Sequence, residues 1–182
     1  MVKIFIRHAE KEFRNNDSSR NDKYYYDPNL TRVGKKEMKR KFKELLTKYG
    51  PPKLLVVSPY LRTRRTTKVL LDLLSENKIE IPLITIDRLV GEYLGPRDEG
   101  KIKHIKEGLT QKTLSFDPIV GESREDFERR ALEEFPDNCW IITHQAFLHH
   151  RIEISGYTMD QNKINYGAAL IEGNDDEMVL WN

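Results

Sequence analysis

The chain has 182 residues, 38% apolar and 33% charged, with a formal net charge of +2. That length and balance suit one domain over residues 1–182, with too little positive charge to imply nucleic-acid binding. No apolar run reaches the roughly 18 residues of a membrane span. With one cysteine, Cys139, it holds neither an internal disulfide nor a cysteine-based zinc site, so a cytoplasmic, reducing setting is expected.

Residues 2–7 read as a short strand that runs straight into Arg7 and His8, which is no signal peptide. A polar stretch, residues 11–23, follows. Met38, Phe42, Leu45, Leu46 and Tyr49 fall on one helical stripe, which Gly50-Pro51-Pro52 stops. The unbroken apolar run 54–57 predicts a strand before Ser58-Pro59. Thr66, Val69, Leu70, Leu73 and Leu74 mark a second helix, and Phe127, Ala131, Leu132 and Phe135 a third that Pro136 ends. Residues 140–142 are another apolar run, before Thr143-His144, and residues 145–155 predict a fourth helix. The tail reads as a hairpin, 168–171 and 178–181 about a turn at 173–176.

Continuous apolar runs suit strands buried on both faces, as in parallel sheets. Alternating with helices, they predict an α/β fold, a three-layer α/β/α sandwich on a mostly parallel sheet. Two connections, residues 9–29 and 87–118, are long for a compact domain and are expected to be lids or walls of a site.

In open α/β sheets, ligands bind beyond the carboxyl ends of the strands. Three predicted strands end there in Arg7-His8, in Ser58-Pro59 with Arg62 just inside the next helix, and in Thr143-His144. Side by side, they would bring two arginines and two histidines to one rim. Such a cluster repels itself unless an anion fills it, and guanidinium forks fit phosphoryl oxygens. Nearby cations also lower a histidine's pKa, leaving a neutral ring nitrogen able to attack phosphorus. The expected chemistry is covalent phosphoryl transfer inside a cationic cage, without metal.

Arg7-His8-Ala9-Glu10, Leu30-Thr31-Arg32-Val33-Gly34, Ser58-Pro59-Tyr60-Leu61-Arg62-Thr63, Gly121-Glu122-Ser123 and Thr143-His144 stand in a telling order. Across residues 2–171 the chain resembles the histidine phosphatase superfamily, the phosphoglycerate mutase-like group. The long polar insert before Leu30 is most similar to the branch with the suppressor of T-cell-receptor signalling phosphatases and ecdysteroid-phosphate phosphatase. The resemblance implies that His8 is the phosphorylated nucleophile and that Arg7, Arg62 and His144 form the phosphate pocket. It also implies an acid that protonates the leaving group. Glu92, in Gly91-Glu92-Tyr93-Leu94-Gly95, stands where that acid is expected, with Asp98, Glu99 and Glu10 as rivals nearby. The implied function is a metal-independent phosphomonoesterase, with no cofactor, acting on a phosphorylated small molecule or phosphoprotein. A phosphoglycerate-type mutase and a catalytically weak phosphoprotein-binding module are the alternatives.

The chain departs from the family pattern twice. Ala9 replaces the usual glycine after the nucleophile, which would be strained only at positive φ. Gln145 replaces a small residue after the second histidine and is expected to narrow the pocket or bind substrate through its amide. A glutamic acid donor would also need its pKa raised toward neutrality. The remaining features read more plainly. His149-His150 lacks a third ligand for a metal site, and Cys139 suits the core. Tyr24, Tyr25 and Tyr26, with Arg20 and Lys23, are expected to anchor the first long loop, and Arg64, Arg65 and Lys68 to form a helix surface.

Overall fold

Four strands, β1 (Lys3–Arg7), β2 (Leu54–Val57), β3 (Leu83–Ile86) and β4 (Cys139–Thr143), pair in parallel, and β5 (Ala169–Glu172) and β6 (Met178–Trp181) close one edge antiparallel. They make one sheet in the order β3-β2-β4-β1-β5-β6. The coordinates are a computed structural model that describes residues 2–12, 28–94, 119, 121–173 and 178–182. Most of both long connections lies outside these residues, as do Tyr24 to Tyr26, Arg20, Lys23, Asp98, Glu99 and residues 174–176 of the expected hairpin turn.

Helices α1 (Arg32–Tyr49) and α2 (Leu61–Glu76) cover one face of the sheet, and α3 (Arg124–Ala131) and α4 (Gln145–Ile154) the other. The pleat sorts the core between them. Ile4, Ile6, Leu55, Val57, Trp140 and Ile142 pack with Met38, Phe42, Leu45, Leu70, Leu73 and Leu74. The alternate residues Phe5, Val56, Cys139 and Ile141 face Phe127, Phe147, Leu148 and Ile152. Consecutive apolar residues in β1, β2 and β4 are therefore all needed, because each strand has a core on both sides. The expected three-layer sandwich is what the chain forms. Among the described residues, no helix is long and apolar enough to cross a membrane.

Two expectations need correction. The third helix stops at Ala131 rather than before Pro136; Leu132 is 51% exposed, and Phe135 leaves the helix to meet the Phe5 ring edge-on at 5.6 Å. Arg151 Nη1 donates to Ala131 O at 2.7 Å and Glu133 O at 3.1 Å, so carbonyls at this end are satisfied without another turn. Strand β3 is absent from the elements that the sequence predicts. It sits at the sheet edge with Leu83 71% exposed, so burial leaves no readable pattern on its sequence.

The register places the site. Arg7 pairs with Thr143, and Val57 with Ile142. His8, Ser58 and His144 consequently leave three adjacent strands at the same rim.

Candidate active site

His8 follows β1, donates its backbone N–H to Thr143 O at 3.0 Å and is only 3% exposed. Its Nδ1 lies 2.8 Å from Ala9 O. A carbonyl can only accept, so Nδ1 carries the proton and Nε2 presents its lone pair, which receives Arg62 Nε at 3.3 Å. Burial first, then the charges of Arg62 and His144, hold the His8 pKa well below the usual imidazole value. The ring is neutral at neutral pH.

The backbone after His8 is fixed from both sides. Ala9 N–H donates to Thr66 Oγ1 at 3.0 Å, and Ala9 is absent from the residues of positive φ, so its methyl is unstrained. Thr31 caps α1, its Oγ1 accepting Gly34 N–H at 2.8 Å and donating to Glu10 Oε2 at 2.6 Å. Glu10 O accepts Thr31 N–H at 3.0 Å. Gly34 allows this approach, since a Cβ there would stand 2.7 Å from Glu10 O.

Arg62, 2% exposed, rises from the first turn of α2 into the centre of the cluster. Its Nη2 pairs with Glu92 Oε2 and lies 3.2 Å from His144 Nδ1. His144 Nδ1 is 3.3 Å from Glu92 Oε2, and its Nε2 is 2.7 Å from Ser58 Oγ. With Glu92 ionised, Nδ1–H donates to the carboxylate and the Ser58 hydroxyl donates to Nε2. Burial pulls the His144 pKa down to about 4 against the opposing charge of Glu92. The Tyr60 ring stands edge-on to His144 at 4.9 Å and lies under the Arg62 guanidinium at 4.6 Å.

Burial raises the Glu92 pKa, but His144 and Arg62 outweigh it and leave the carboxyl well below its usual range. This is opposite to the raised pKa expected of a resting proton donor. The cause lies in two other elements, which supply the Arg62 charge and the His144 N–H that donates to the carboxylate. Arg7 lies beside the cluster, its Nη1 donating to Ile164 O and its guanidinium 4.1 Å over the Tyr166 ring. Arg7 Nε is buried and has no hydrogen-bond partner among the described residues. It is a donor an anion could use.

A family model for the histidine phosphatase superfamily (branch 1) matches residues 4–152. The chain belongs to this superfamily. No curated protein matches its sequence. Solved structures of the same fold include the ecdysone phosphate phosphatase EPPase of Bombix mori, in complex with tungstate. That match has 17% identity and a TM-score of 0.64 over 98% of this chain and 91% of that one. The protein TTHB049 of Thermus thermophilus is 20% identical, with a TM-score of 0.56 over 98% and 96%. The protein histidine phosphatase SixA, complexed with tungstate, is 13% identical, with a TM-score of 0.56 over 100% and 95%.

This histidine phosphatase superfamily member thus gathers His8, Arg62, His144 and Glu92 within direct contact, with Arg7 joined through the Tyr166 ring, which lies 5.7 Å from His8. Gln145 is engaged elsewhere, its Nε2 donating to Gln161 O at 2.6 Å. Glu10 is held by Thr31. His149 and His150 both face Glu153, at 3.4 and 3.5 Å, and burial pushes the Cys139 thiol up to about 11. Three contributors, Ser58, Tyr60 and Tyr166, stand outside the site residues that the sequence predicts. Ser58 was signalled by its place directly after an apolar run, and Tyr60 by its place in the same motif. Tyr166 gave no signal, because only the antiparallel return of β5 brings it to Arg7.

Proposed function

We propose that this protein is a cytoplasmic phosphomonoesterase that acts without metal through a phosphohistidine on His8. The observation that carries the reading is the buried Arg62 guanidinium, 3.3 Å from His8 Nε2 and 3.2 Å from His144 Nδ1. An oxyanion drawn to that guanidinium takes over its N–H from His8 Nε2 and is thereby brought against the unprotonated nitrogen of that ring. Two proteins of this fold were solved in complex with tungstate, a tetrahedral oxyanion, which supports an oxyanion-binding role for the fold.

In the first step, His8 Nε2 forms a bond to phosphorus as the bond to the leaving oxygen breaks, and Glu92 gives that oxygen a proton. In the second, Glu92 takes a proton from water, which attacks phosphorus and releases His8. Arg7, Arg62 and His144 hold the equatorial oxygens in both steps, so catalysis is mainly positioning and charge stabilisation. Binding also resets Glu92. A phosphoryl dianion competes for Arg62 and adds negative charge beside the carboxylate, and both effects raise the carboxyl pKa. The substrate is a phosphorylated small molecule or a phosphoprotein. Gln145 would join substrate binding by exchanging Gln161 O for a substrate oxygen.

The test is a phosphomonoester screen in EDTA with wild type and His8→Ala side by side, followed by an acid-sparing quench of labelled enzyme. Wild type releases inorganic phosphate and carries a phosphohistidine; the variant loses about two orders of magnitude or more and carries none. Robust turnover by His8→Ala rejects the nucleophile. Isomerisation of 3-phosphoglycerate without phosphate release would indicate a mutase instead, and phosphopeptide binding without labelling a binding module.

A further inference from the structure

Four consecutive carbonyls on the approach to Glu92 are each bonded by a side chain. Arg130 Nη1 donates to Leu89 O and, at 3.0 Å, to Gly91 O; Arg130 Nη2 donates to Glu92 O at 3.3 Å. Thr143 Oγ1 donates to Val90 O at 2.7 Å. Arg130 is itself held by Glu122, Nε to Oε1 at 2.6 Å and Nη2 to Oε2 at 2.9 Å, and both side chains are buried. Its guanidinium also lies 4.5 Å over the Phe127 ring.

This is an unusual use of a buried ion pair. Such pairs add little stability over apolar residues of similar volume, because desolvation offsets the attraction. Here the guanidinium does what no apolar residue can. Residues 89–92 leave a short 3₁₀ turn (Arg88–Val90) and need partners for carbonyls that no helix or strand supplies. The turn is tight as well, since a Cβ on Gly91 would stand 2.8 Å from Arg88 O. One planar fork reaches three of the carbonyls, and Thr143, next to His144, takes the fourth.

We propose that Arg130, oriented by Glu122, is a positioning residue that fixes the backbone of Glu92 so that its carboxyl meets the leaving-group oxygen. This rests on the reading of Glu92 as the proton donor. Misplacing a reacting group by about an ångström costs roughly a hundredfold, and the loss falls only on the step that needs the group. A leaving group that departs readily as an anion needs no proton, whereas an alkoxide does.

The test compares kcat/KM, which reports the first phosphoryl transfer, for p-nitrophenyl phosphate and for glycerol phosphate. Arg130→Lys keeps a cation beside Glu122 but loses the fork. The double variant Glu122→Met/Arg130→Met replaces the pair with apolar volume. In both, glycerol phosphate turnover is expected to fall about ten- to a hundredfold, with p-nitrophenyl phosphate within about threefold of wild type. Equal loss on both substrates, no loss on either, or failure of both variants to fold overturns the proposal. Glu92→Gln on the same pair separates the two ideas. If it shows no selective loss, the proton-donor reading falls; if it does and the Arg130 variants do not, only the positioning role falls.

Discussion

Arg62 Nε stands 3.3 Å from His8 Nε2, so the lone pair that would attack phosphorus rests on a guanidinium N–H. Arg62 simultaneously reaches Glu92 and His144. An incoming phosphoryl group must take over these contacts, and it meets the nucleophile and the proton donor as it does so. A lysine ammonium carries the charge but cannot present a planar fork to both sides. Arg62→Lys is therefore expected to lower kcat/KM by about 10²–10³ and to weaken inhibition by inorganic phosphate. Steady-state kinetics with a phosphate inhibition series checks it; a variant within a fewfold of wild type on both measures would remove Arg62 from the oxyanion site.

The pH dependence follows from two depressed pKa values. His8 must be neutral to attack, and its pKa lies well below the usual 6.5, so activity is retained on acidification until well below that value. Glu92 is ionised in the free site, yet the transition state for a poor leaving group needs one proton. That proton can enter with the substrate monoanion, since the second ionisation of a phosphomonoester lies near about 6. Above about pH 6 the monoanion becomes scarce, and kcat/KM for glycerol phosphate should fall about tenfold per unit. The maximum is thus mildly acidic. Profiles from about pH 4 to 9 test this, and a maximum near about pH 8 would contradict it.

What could be read from residues alone was whatever burial or strand-end position imprints. β1, β2 and β4 carry unbroken apolar runs because both faces are covered, and Arg7, His8, Ser58 and His144 are visible because each stands where such a run ends. Leu83 to Ile86 form a strand at an open edge, so no burial pattern marks them. The acidity of Glu92 was illegible for another reason. Its sign is set by Arg62 from α2 and His144 after β4, and a local reading of Gly91-Glu92-Tyr93 contains neither. Gln145 shows the same limit, because its partner is a carbonyl sixteen residues away, at Gln161.

The segment after the nucleophile offers a paired test of where space is scarce. Ala9 is buried with its amide on Thr66 Oγ1, and it takes an ordinary backbone conformation. Ala9→Gly should therefore cost about 0.5–1 kcal/mol through unfolded-chain entropy while leaving turnover within about threefold. Gly34 is the tight position. A methyl there would stand 2.7–2.8 Å from Glu10 O, Cβ and N, and most of that is backbone two residues beyond His8. Relief requires moving Glu10 away from Thr31, which tilts the loop that aims His8. Gly34→Ala should lower stability by about 1–3 kcal/mol and kcat/KM by at least about tenfold. Thermal unfolding and steady-state kinetics on both variants check the contrast. If Ala9→Gly were the damaging change and Gly34→Ala the tolerated one, the loop after His8 would have to follow another path.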